Sequence, residues 1–132
     1  MPGQFRKGNV CVMRGNEVVY VAPDHKTLDA IATQFKKKLN AGFKEINNPK
    51  EDGPTLAAWA HYMFVKAHFF DGNGRSARCI MNICFLKMNL EPLVLDSTTR
   101  NDYNEALTCD DHFKFASFID KIWKSKSWFR LK

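Results

Sequence analysis

Residues 68–78 read His-Phe-Phe-Asp-Gly-Asn-Gly-Arg-Ser-Ala-Arg, a glycine-containing stretch that leads directly into a helical pattern. The glycines allow positive φ values, which turn successive backbone N–H groups toward one point. The N-terminus of the following helix adds partial positive charge at the same place. The two arginines, three positions apart, carry forked donors that suit phosphate oxygens. The stretch therefore predicts a phosphate site, whose candidate residues are Gly72, Asn73, Gly74, Arg75 and Arg78.

Two further side chains of this stretch suit chemistry on a bound phosphate. Asp71 places a carboxylate beside the predicted anion site, where a Mg²⁺ ion that bridges phosphates would require a hard oxygen ligand. His68 ends the preceding helical pattern and is a candidate general base. Each of these residues alone is commoner in a turn or on a surface, but the whole set within eleven positions favours phosphate binding.

Helical spacing of apolar residues dominates the sequence on both sides of this stretch. Thr55 and Thr99 are the predicted N-caps of two of the helices. The predicted elements, in chain order, are a hairpin at about 10–21, a helix over 28–39, a polar loop at 40–54, helices over 55–68 and 75–88, a short helix over 99–107, and a last helix after Asp110 or Asp111. The expected fold is an all-α core with a small β-hairpin leading into it.

The composition is that of one ordinary globular domain covering residues 1–132. Apolar residues make up 45% and charged residues 26%, which excludes a disordered or low-complexity chain. No apolar run approaches the roughly 18 residues of a membrane span, and the N-terminus has no hydrophobic signal region. We therefore expect a protein without a membrane segment, either cytoplasmic or secreted as an effector without a visible signal.

Charge and cysteine content narrow the choice of partner. Twenty basic and 14 acidic residues give a net charge of +6, which suits an anionic partner such as a nucleotide, a nucleic acid or a membrane surface. A nucleic-acid module is disfavoured, because the chain lacks a basic motif interleaved with aromatic residues. The cysteines have no Cys-x-x-Cys spacing, which predicts reduced thiols and no zinc. They are Cys11, Cys79, Cys84 and Cys109.

The central stretch resembles the motif of the Fic domain proteins, most of which are protein adenylyltransferases. That motif is His-x-Phe-x-Asp/Glu-Gly-Asn-Gly-Arg-x-x-Arg, and residues 71–78 match its second half at every position. Gly3-Gln4-Phe5-Arg6 resembles the opening of the Fic core, and the hairpin at about 10–21 resembles the flap that positions the family's targets. His61, seven residues before His68, is placed as in many members. The motif loop of this resemblance covers residues 68–78.

The resemblance implies AMP transfer from ATP-Mg²⁺ to the hydroxyl of a tyrosine, serine or threonine of a target protein. His68 would take the hydroxyl proton, and Asp71 would hold Mg²⁺. Asn73 would bond the α-phosphate, while Arg75 and Arg78 would bind the β- and γ-phosphates over the loop of Gly72 and Gly74. Asn82 and Tyr103 would contact the nucleoside. The family also transfers other groups, but the Gly-Asn-Gly-Arg string favours AMP.

The sequence departs from the family spacing at one place. His68 lies three residues before Asp71, whereas the family places its histidine four before the acidic residue. One alignment keeps His68 as the catalytic residue and leaves the loop one residue short. The other places Ala67 in the catalytic position. We prefer His68, and the alternative function is an impaired Fic domain that binds nucleotide or a protein partner without transfer.

The resemblance also implies two kinds of protein partner. A target protein would dock on the flap hairpin as an added strand. Many members carry an inhibitory helix with the string Ser/Thr-x-x-x-Glu-Gly/Asn, which this sequence lacks. We therefore expect that inhibition comes from a separate, antitoxin-like protein or from a removed N-terminal segment.

Overall fold

The fold is seen in a computed structural model that describes residues 4–70, 73–108 and 111–126. The described residues form a two-stranded antiparallel hairpin, a short 3₁₀ turn and five α-helices. In chain order these are β1 (Cys11–Arg14), β2 (Glu17–Val21), the 3₁₀ turn His25–Thr27, α1 (Leu28–Glu45), α2 (Pro49–Ala67), α3 (Asn73–Lys87), α4 (Arg100–Thr108) and α5 (His112–Ser125). The prediction of a helical core with a small β-hairpin is confirmed.

Helix α2 is the centre of the core and packs against α1, α3 and α5. Its buried face carries small side chains, with Ala57, Ala58 and Ala60 all 0% exposed, so the neighbouring helices can approach closely. On the far side of this layer Phe85 of α3 and Trp123 of α5 stack with ring centroids 5.9 Å apart. The C-terminal end of α2, which leads into the motif, packs in a second cluster.

The predicted polar loop at 40–54 is wrong. Helix α1 continues to Glu45 and α2 already begins at Pro49. Proline suits the first position of a helix, because the N–H that it lacks would be unpaired there in any case. Thr55 is therefore not an N-cap, and its hydroxyl instead donates to the Asp52 carbonyl at 2.8 Å.

The glycine and proline that suggest a loop in this region have a role in helix packing instead. Gly53 and Pro54 are both buried inside α2. A Cβ added at Gly53 would lie 2.7 Å from Leu90 Cδ1, so the glycine allows α2 to approach the segment that follows α3. Tertiary packing therefore overrides the local preference of these residues for a turn.

The hairpin lies where the sequence predicts it and is mostly exposed. Gly15 takes φ +64° at the turn, which is the left-handed conformation that favours glycine. The side chains of Val12, Met13 and Val18 are between 37% and 50% exposed. A two-stranded sheet is marginally stable by itself, so the contacts of the hairpin with the helical core decide its position.

The remaining helix boundaries agree closely with the sequence analysis. Helix α3 begins at Asn73, two residues before the predicted start. Thr99 directly precedes α4, as predicted. Asp111 caps α5, and its carboxylate accepts a hydrogen bond from the Phe113 N–H at 2.9 Å. Asp110 lies outside the described residues.

The described cysteines are free thiols. Cys11 and Cys79 are exposed, and burial raises the pKa of the Cys84 thiol to about 11. Cys109 lies outside the described residues. Among the described helices, none is both long enough and apolar enough to cross a membrane.

Candidate active site

His68 follows the last residue of α2 in a left-handed conformation, with φ 51° and ψ 57°. A non-glycine residue rarely adopts this conformation unless its surroundings hold it there. The Arg6 guanidinium supplies such a contact, because its Nε donates to the His68 carbonyl at 2.5 Å. His68 is half-buried, and the Arg6 contact holds its backbone in this conformation.

Arg6 binds four backbone carbonyls from three separate segments. Besides His68, its guanidinium donates to the carbonyls of Ala67 at 3.2 Å, Pro23 at 2.5 Å and Gly8 at 2.8 Å. The last carbonyls of a helix have no partner within the helix, so two of these bonds also cap α2. Arg6 thus joins the base of the hairpin to the residue that carries the candidate base.

The His68 ring faces the hairpin. The ring centroids of His68 and Tyr20 are 5.7 Å apart, and the Tyr20 hydroxyl donates to the Lys66 carbonyl at 2.5 Å. A cavity of about 430 Å³ opens between the hairpin, the end of α2 and the end of α4. It is lined by Val12, Arg14, Val19, Tyr20, Val65, Lys66, His68, Leu107 and Thr108.

The surroundings of His68 favour its neutral form. Burial lowers the pKa of His68 below its ordinary value of 6.5, and the nearby charges of Arg6 and Lys66 lower it further. A neutral imidazole can accept a proton, which a protonated one cannot. His68 therefore faces a cavity in the form that a general base requires.

Ala67, the alternative catalytic position, lies in the core instead. It is 3% exposed and packs with Leu28, Phe64, Phe69 and Ala77. A histidine at position 67 would enter this packed cluster. The geometry at the end of α2 therefore gives His68, and not position 67, access to the cavity.

The first residue of α3, Asn73, is bonded to the end of α2. Its Nδ2 donates to the Val65 carbonyl at 2.7 Å, and the side chain is 7% exposed. Its Oδ1 is buried and has no hydrogen-bond partner among the described residues. The amide thus fixes the distance between α2 and α3, and its amino group is already engaged with protein.

Gly74 lies within the first turn of α3 and is helical, so the expectation of a positive φ at this position is wrong. The lack of a side chain at Gly74 leaves room for the Arg78 side chain. A Cβ at position 74 would meet Arg78 Nη1 at 3.5 Å, because the Arg78 side chain folds back over the first turn of α3. The guanidinium is thereby brought to the N-terminus of the helix, as the anion site requires.

The two motif arginines have different surroundings. Arg75 is exposed, whereas Arg78 is half-buried. Arg78 lies on the wall of a second cavity, of about 360 Å³, which α4 and the segment before it complete. The other lining residues are Leu95, Asp96, Arg100, Tyr103 and Asn104.

Tyr103, a predicted nucleoside contact, is 5% exposed, and its hydroxyl lies 2.7 Å from His61 Nε2. His61 is 0% exposed, and burial together with the Arg78 charge lowers its pKa to about 4. Tyr103 thus connects the buried His61 to the cavity that Arg78 lines.

Asn82, the other predicted nucleoside contact, is half-buried on α3. Its Oδ1 accepts a hydrogen bond from the Leu93 N–H at 2.8 Å. This bond holds the chain segment that leads to Leu95 and the second cavity. The Nδ2 group of Asn82 is the part of the side chain that a nucleoside could use.

Asp71 and Gly72 lie outside the described residues, so the predicted Mg²⁺ ligand and the first glycine of the loop are not placed. Within residues 4–70, 73–108 and 111–126, no three His, Cys, Asp or Glu side chains form a group that could hold a metal ion.

The two cavities share one wall. Tyr103 lines the cavity of Arg78, and Leu107, one turn further along α4, lines the cavity of His68. Four residues of helix correspond to a rise of about 6 Å, so the two cavities adjoin successive turns of α4.

The sequence analysis did not predict the long-range contacts of Arg6 and His61. Arg6 bonds a carbonyl 62 positions away, and His61 bonds a hydroxyl 42 positions away. Neither contact leaves a local periodic signal. The spacing of His61 from His68 is the one trace of it in the sequence.

Comparisons with known proteins agree with the fold. The model of the Fic/DOC family matches residues 1–85. "Protein adenylyltransferase Fic" of Nematostella vectensis is 34% identical over 118 residues, which are 89% of this chain and 26% of the relative. The protein of the same name from Drosophila yakuba is 32% identical over 118 residues, 89% of this chain and 22% of the relative.

A solved structure shows the same fold. A Fic domain containing signaling protein from Bacteroides thetaiotaomicron superposes with a TM-score of 0.76 at 21% identity, covering 92% of this chain and 51% of the other. The architecture is thus that of a Fic domain. This chain belongs to the Fic/DOC family. It spans about a quarter of the length of the curated relatives that it matches.

Proposed function

We propose that this domain transfers AMP from ATP to a hydroxyl side chain of a target protein. The observation that carries the proposal is the pair of cavities along α4, one with Arg78 at the N-terminus of α3 and one with a His68 whose pKa is lowered. Family membership and the names of the relatives favour adenylyl transfer over other uses of such a site.

The phosphates of ATP would lie over the N-terminus of α3. Arg78, folded back above Gly74, would bind the terminal phosphates together with the exposed Arg75. The backbone N–H groups of the first turn would bind the remaining oxygens, since they have no partner within the helix. Asn73 would contribute chiefly through its backbone, because its Nδ2 already donates to Val65.

The transfer itself requires one proton acceptor. The target hydroxyl oxygen would attack the α-phosphorus while His68 takes the hydroxyl proton, and pyrophosphate would leave. Reactions of this kind depend mostly on positioning and on stabilisation of the phosphate charge. A neutral His68 and the Arg78 guanidinium above Gly74 would supply these two contributions.

Mg²⁺ fits the chemistry of the donors proposed for it. Asp71 offers a carboxylate oxygen, which Mg²⁺ accepts together with phosphate oxygens and water. The ion would neutralise part of the phosphate charge when bound. Gly72, between Asp71 and Asn73, would give the backbone the freedom to pass close to it.

The target would dock on the hairpin and place its hydroxyl in the cavity of His68. Within the described residues the hairpin is a two-stranded sheet with exposed side chains, and an extended peptide could add to it as a further strand. Arg14 and Lys66 give the cavity positive charge, and none of its described lining residues is acidic. Because this wall is positively charged, it best suits a target whose hydroxyl has an acidic residue beside it.

Nucleotide binding is tested first, because it does not depend on the position of His68. Calorimetry with ATP-Mg²⁺ on Arg78→Ala should show a loss of affinity of at least about 10-fold, since charge-assisted hydrogen bonds to phosphate are lost. Arg14→Ala, which removes the same charge from the other cavity, should bind ATP like the parent chain. Equal affinity of the parent and Arg78→Ala would refute the phosphate assignment.

A further inference from the structure

We propose that Arg6 is a positioning residue for the transfer step, because it turns His68 away from the packed face of α2 and toward the cavity beside the hairpin. This role rests on the proposed function, since that function makes His68 the proton acceptor. Arg6 contacts His68 through its backbone carbonyl, 62 positions along the chain, and therefore acts on the imidazole indirectly.

Arg6 bonds three successive carbonyls at the point where α2 ends. Its guanidinium donates to the carbonyls of Ala67 at 3.2 Å and His68 at 2.5 Å. Its backbone N–H donates to the Phe69 carbonyl at 2.8 Å. The neighbouring Phe5 ring packs against the Phe69 ring, with centroids 5.0 Å apart. One short segment thus holds the turn that contains His68 on both sides.

The left-handed backbone of His68 decides which way its side chain points. The buried stripe of α2 runs through Ala57, His61 and Phe64, none of which is more than 6% exposed. Residues four apart lie on one face of a helix, so a helical residue 68 would continue this stripe above Phe64. With φ 51° the chain leaves the helix at His68, and the imidazole lies beside the Tyr20 ring, with centroids 5.7 Å apart. The left-handed turn therefore separates the candidate base from the core.

This turn needs support from its surroundings, because a left-handed conformation costs free energy for a residue with a Cβ. The hydrogen bonds from Arg6 offset that cost only while the guanidinium keeps its place. Other N–H groups of the guanidinium donate to the carbonyls of Gly8 at 2.8 Å and Pro23 at 2.5 Å. A planar fork that is bonded on both edges cannot rotate freely, so it specifies one backbone geometry for His68.

The charge of Arg6 has a second effect on the same imidazole. Burial lowers the pKa of His68, and the charges of Arg6 and Lys66 lower it further. Arg14 also lines the cavity, and none of the described lining residues is acidic. Since Lys66 and Arg14 remain when Arg6 is replaced, the surroundings of His68 stay positive without it. The orientation of the imidazole, more than its protonation, therefore depends on Arg6.

The experiment separates the planar fork of Arg6 from its charge. Arg6→Lys keeps the charge but replaces the fork with one ammonium group, which cannot reach the same set of carbonyls. We expect kcat for the transfer of labelled AMP to fall by about 100-fold, since a displacement of about 1 Å has an effect of this size. KM for ATP-Mg²⁺ and its calorimetric affinity should not change, because the phosphates bind on the Arg78 side. Lys7→Gln, at the exposed neighbouring residue, is the control and should transfer AMP like the parent chain.

The orientation of His68 can also be measured by NMR without any activity. In the parent chain the Tyr20 ring should shift the ring-proton resonances of His68, and Tyr20→Leu identifies the size of this shift. Arg6→Lys should lose the same shift in the folded state. A purely structural role would lower the melting temperature and leave the His68 resonances in place. If Arg6→Lys does not fold, the Arg6 Nε–H of the parent chain decides, since its bond to the His68 carbonyl should protect it from exchange with water.

The outcomes distinguish the positioning role from the proposed function. Transfer at the parent rate in Arg6→Lys would overturn the positioning role, and a loss confined to Arg6→Gln would assign the effect to charge instead. Unchanged His68 resonances in Arg6→Lys, or rapid exchange of the Arg6 Nε–H in the parent chain, would overturn it as well. Unchanged ATP affinity in Arg78→Ala, or a parent chain that binds ATP without transfer, would contradict the proposed function. The His68 resonances would still test whether Arg6 orients the imidazole.

Discussion

Arg78 lines a cavity with Tyr103, which bonds the buried His61, whereas His68 is held by carbonyl contacts of Arg6 and faces an exposed hairpin. On the first side, Tyr103 and His61 are almost fully buried and belong to packed helices. On the second side, the cavity wall belongs partly to two strands whose side chains are mostly exposed.

The difference matches the two kinds of ligand that the proposed transfer reaction requires. A triphosphate has the same shape in every reaction cycle, so rigid donors set in a core suit it. A target peptide varies, and a hairpin held by few contacts can adjust to it. Substitutions on the Arg78 side should therefore have different effects from substitutions on the His68 side.

The largest effect is expected at the junction between His68 and Phe69. Phe69 is anchored, because it is 3% exposed and its carbonyl accepts from the Arg6 N–H at 2.8 Å. If the missing residue displaces His68 from the α-phosphate, insertion of one proline between them should raise AMP transfer by about 100-fold or more. Incorporation of labelled AMP into the chain or into lysate proteins measures it.

Two variants control this experiment. His68→Ala in the inserted chain should remove the gain, since the proton acceptor is lost. Ala67→His restores the family spacing without added length, but it places a large side chain in the core and should also lower the melting temperature. Activity restored by Ala67→His and not by insertion would make position 67 the catalytic one.

The second effect concerns the stability of the Arg78 side. The folded pKa of His61 is about 4 against 6.5 in an unfolded chain, so the unfolded state binds more protons between these values. The contribution of His61 is complete above pH 6.5 and is lost as the pH falls toward 4, by about 3 kcal/mol. Urea unfolding at several pH values should show a flatter dependence in His61→Leu, and equal slopes would mean that His61 is protonated in the fold.

The smallest effect is expected on the hairpin side. Tyr20→Phe removes the hydrogen bond from the hydroxyl to the Lys66 carbonyl, which should cost about 1 kcal/mol or less. Hydrogen exchange should accelerate over residues 11–21 and stay unchanged in α3. Equal acceleration in both regions would show that the hairpin and the core open together, which would contradict the difference between the two sides.

The sequence predicts most of this architecture because the helical spacing and the motif are local. The Asp111 cap, the start of α4 directly after Thr99, the hairpin turn and the end of α2 follow from short-range chemistry. The start of α2 does not, since Gly53 and Pro54 resemble a loop and are buried only through contact with Leu90.

The candidate site could likewise be predicted only in part from the sequence. The motif predicts His68 and Arg78 as site residues, and in the structure each of them lines a cavity. The positive φ expected at Gly74 is absent, because α3 begins one residue before it. The contacts of Arg6 with His68 and of His61 with Tyr103 join residues far apart in the chain, and neither contact leaves a local pattern that reveals it.

The four carbonyl bonds of Arg6 have a consequence for the energetics of the reaction cycle. One guanidinium holds Pro23 and Gly8 at the root of the hairpin and also the carbonyl of His68, so the two segments cannot shift independently. Occupancy of the hairpin and the proton affinity of His68 are then linked quantities. By reciprocity, whatever a docked strand does to the basicity of the imidazole, protonation of the imidazole does by the same factor to the affinity for the strand.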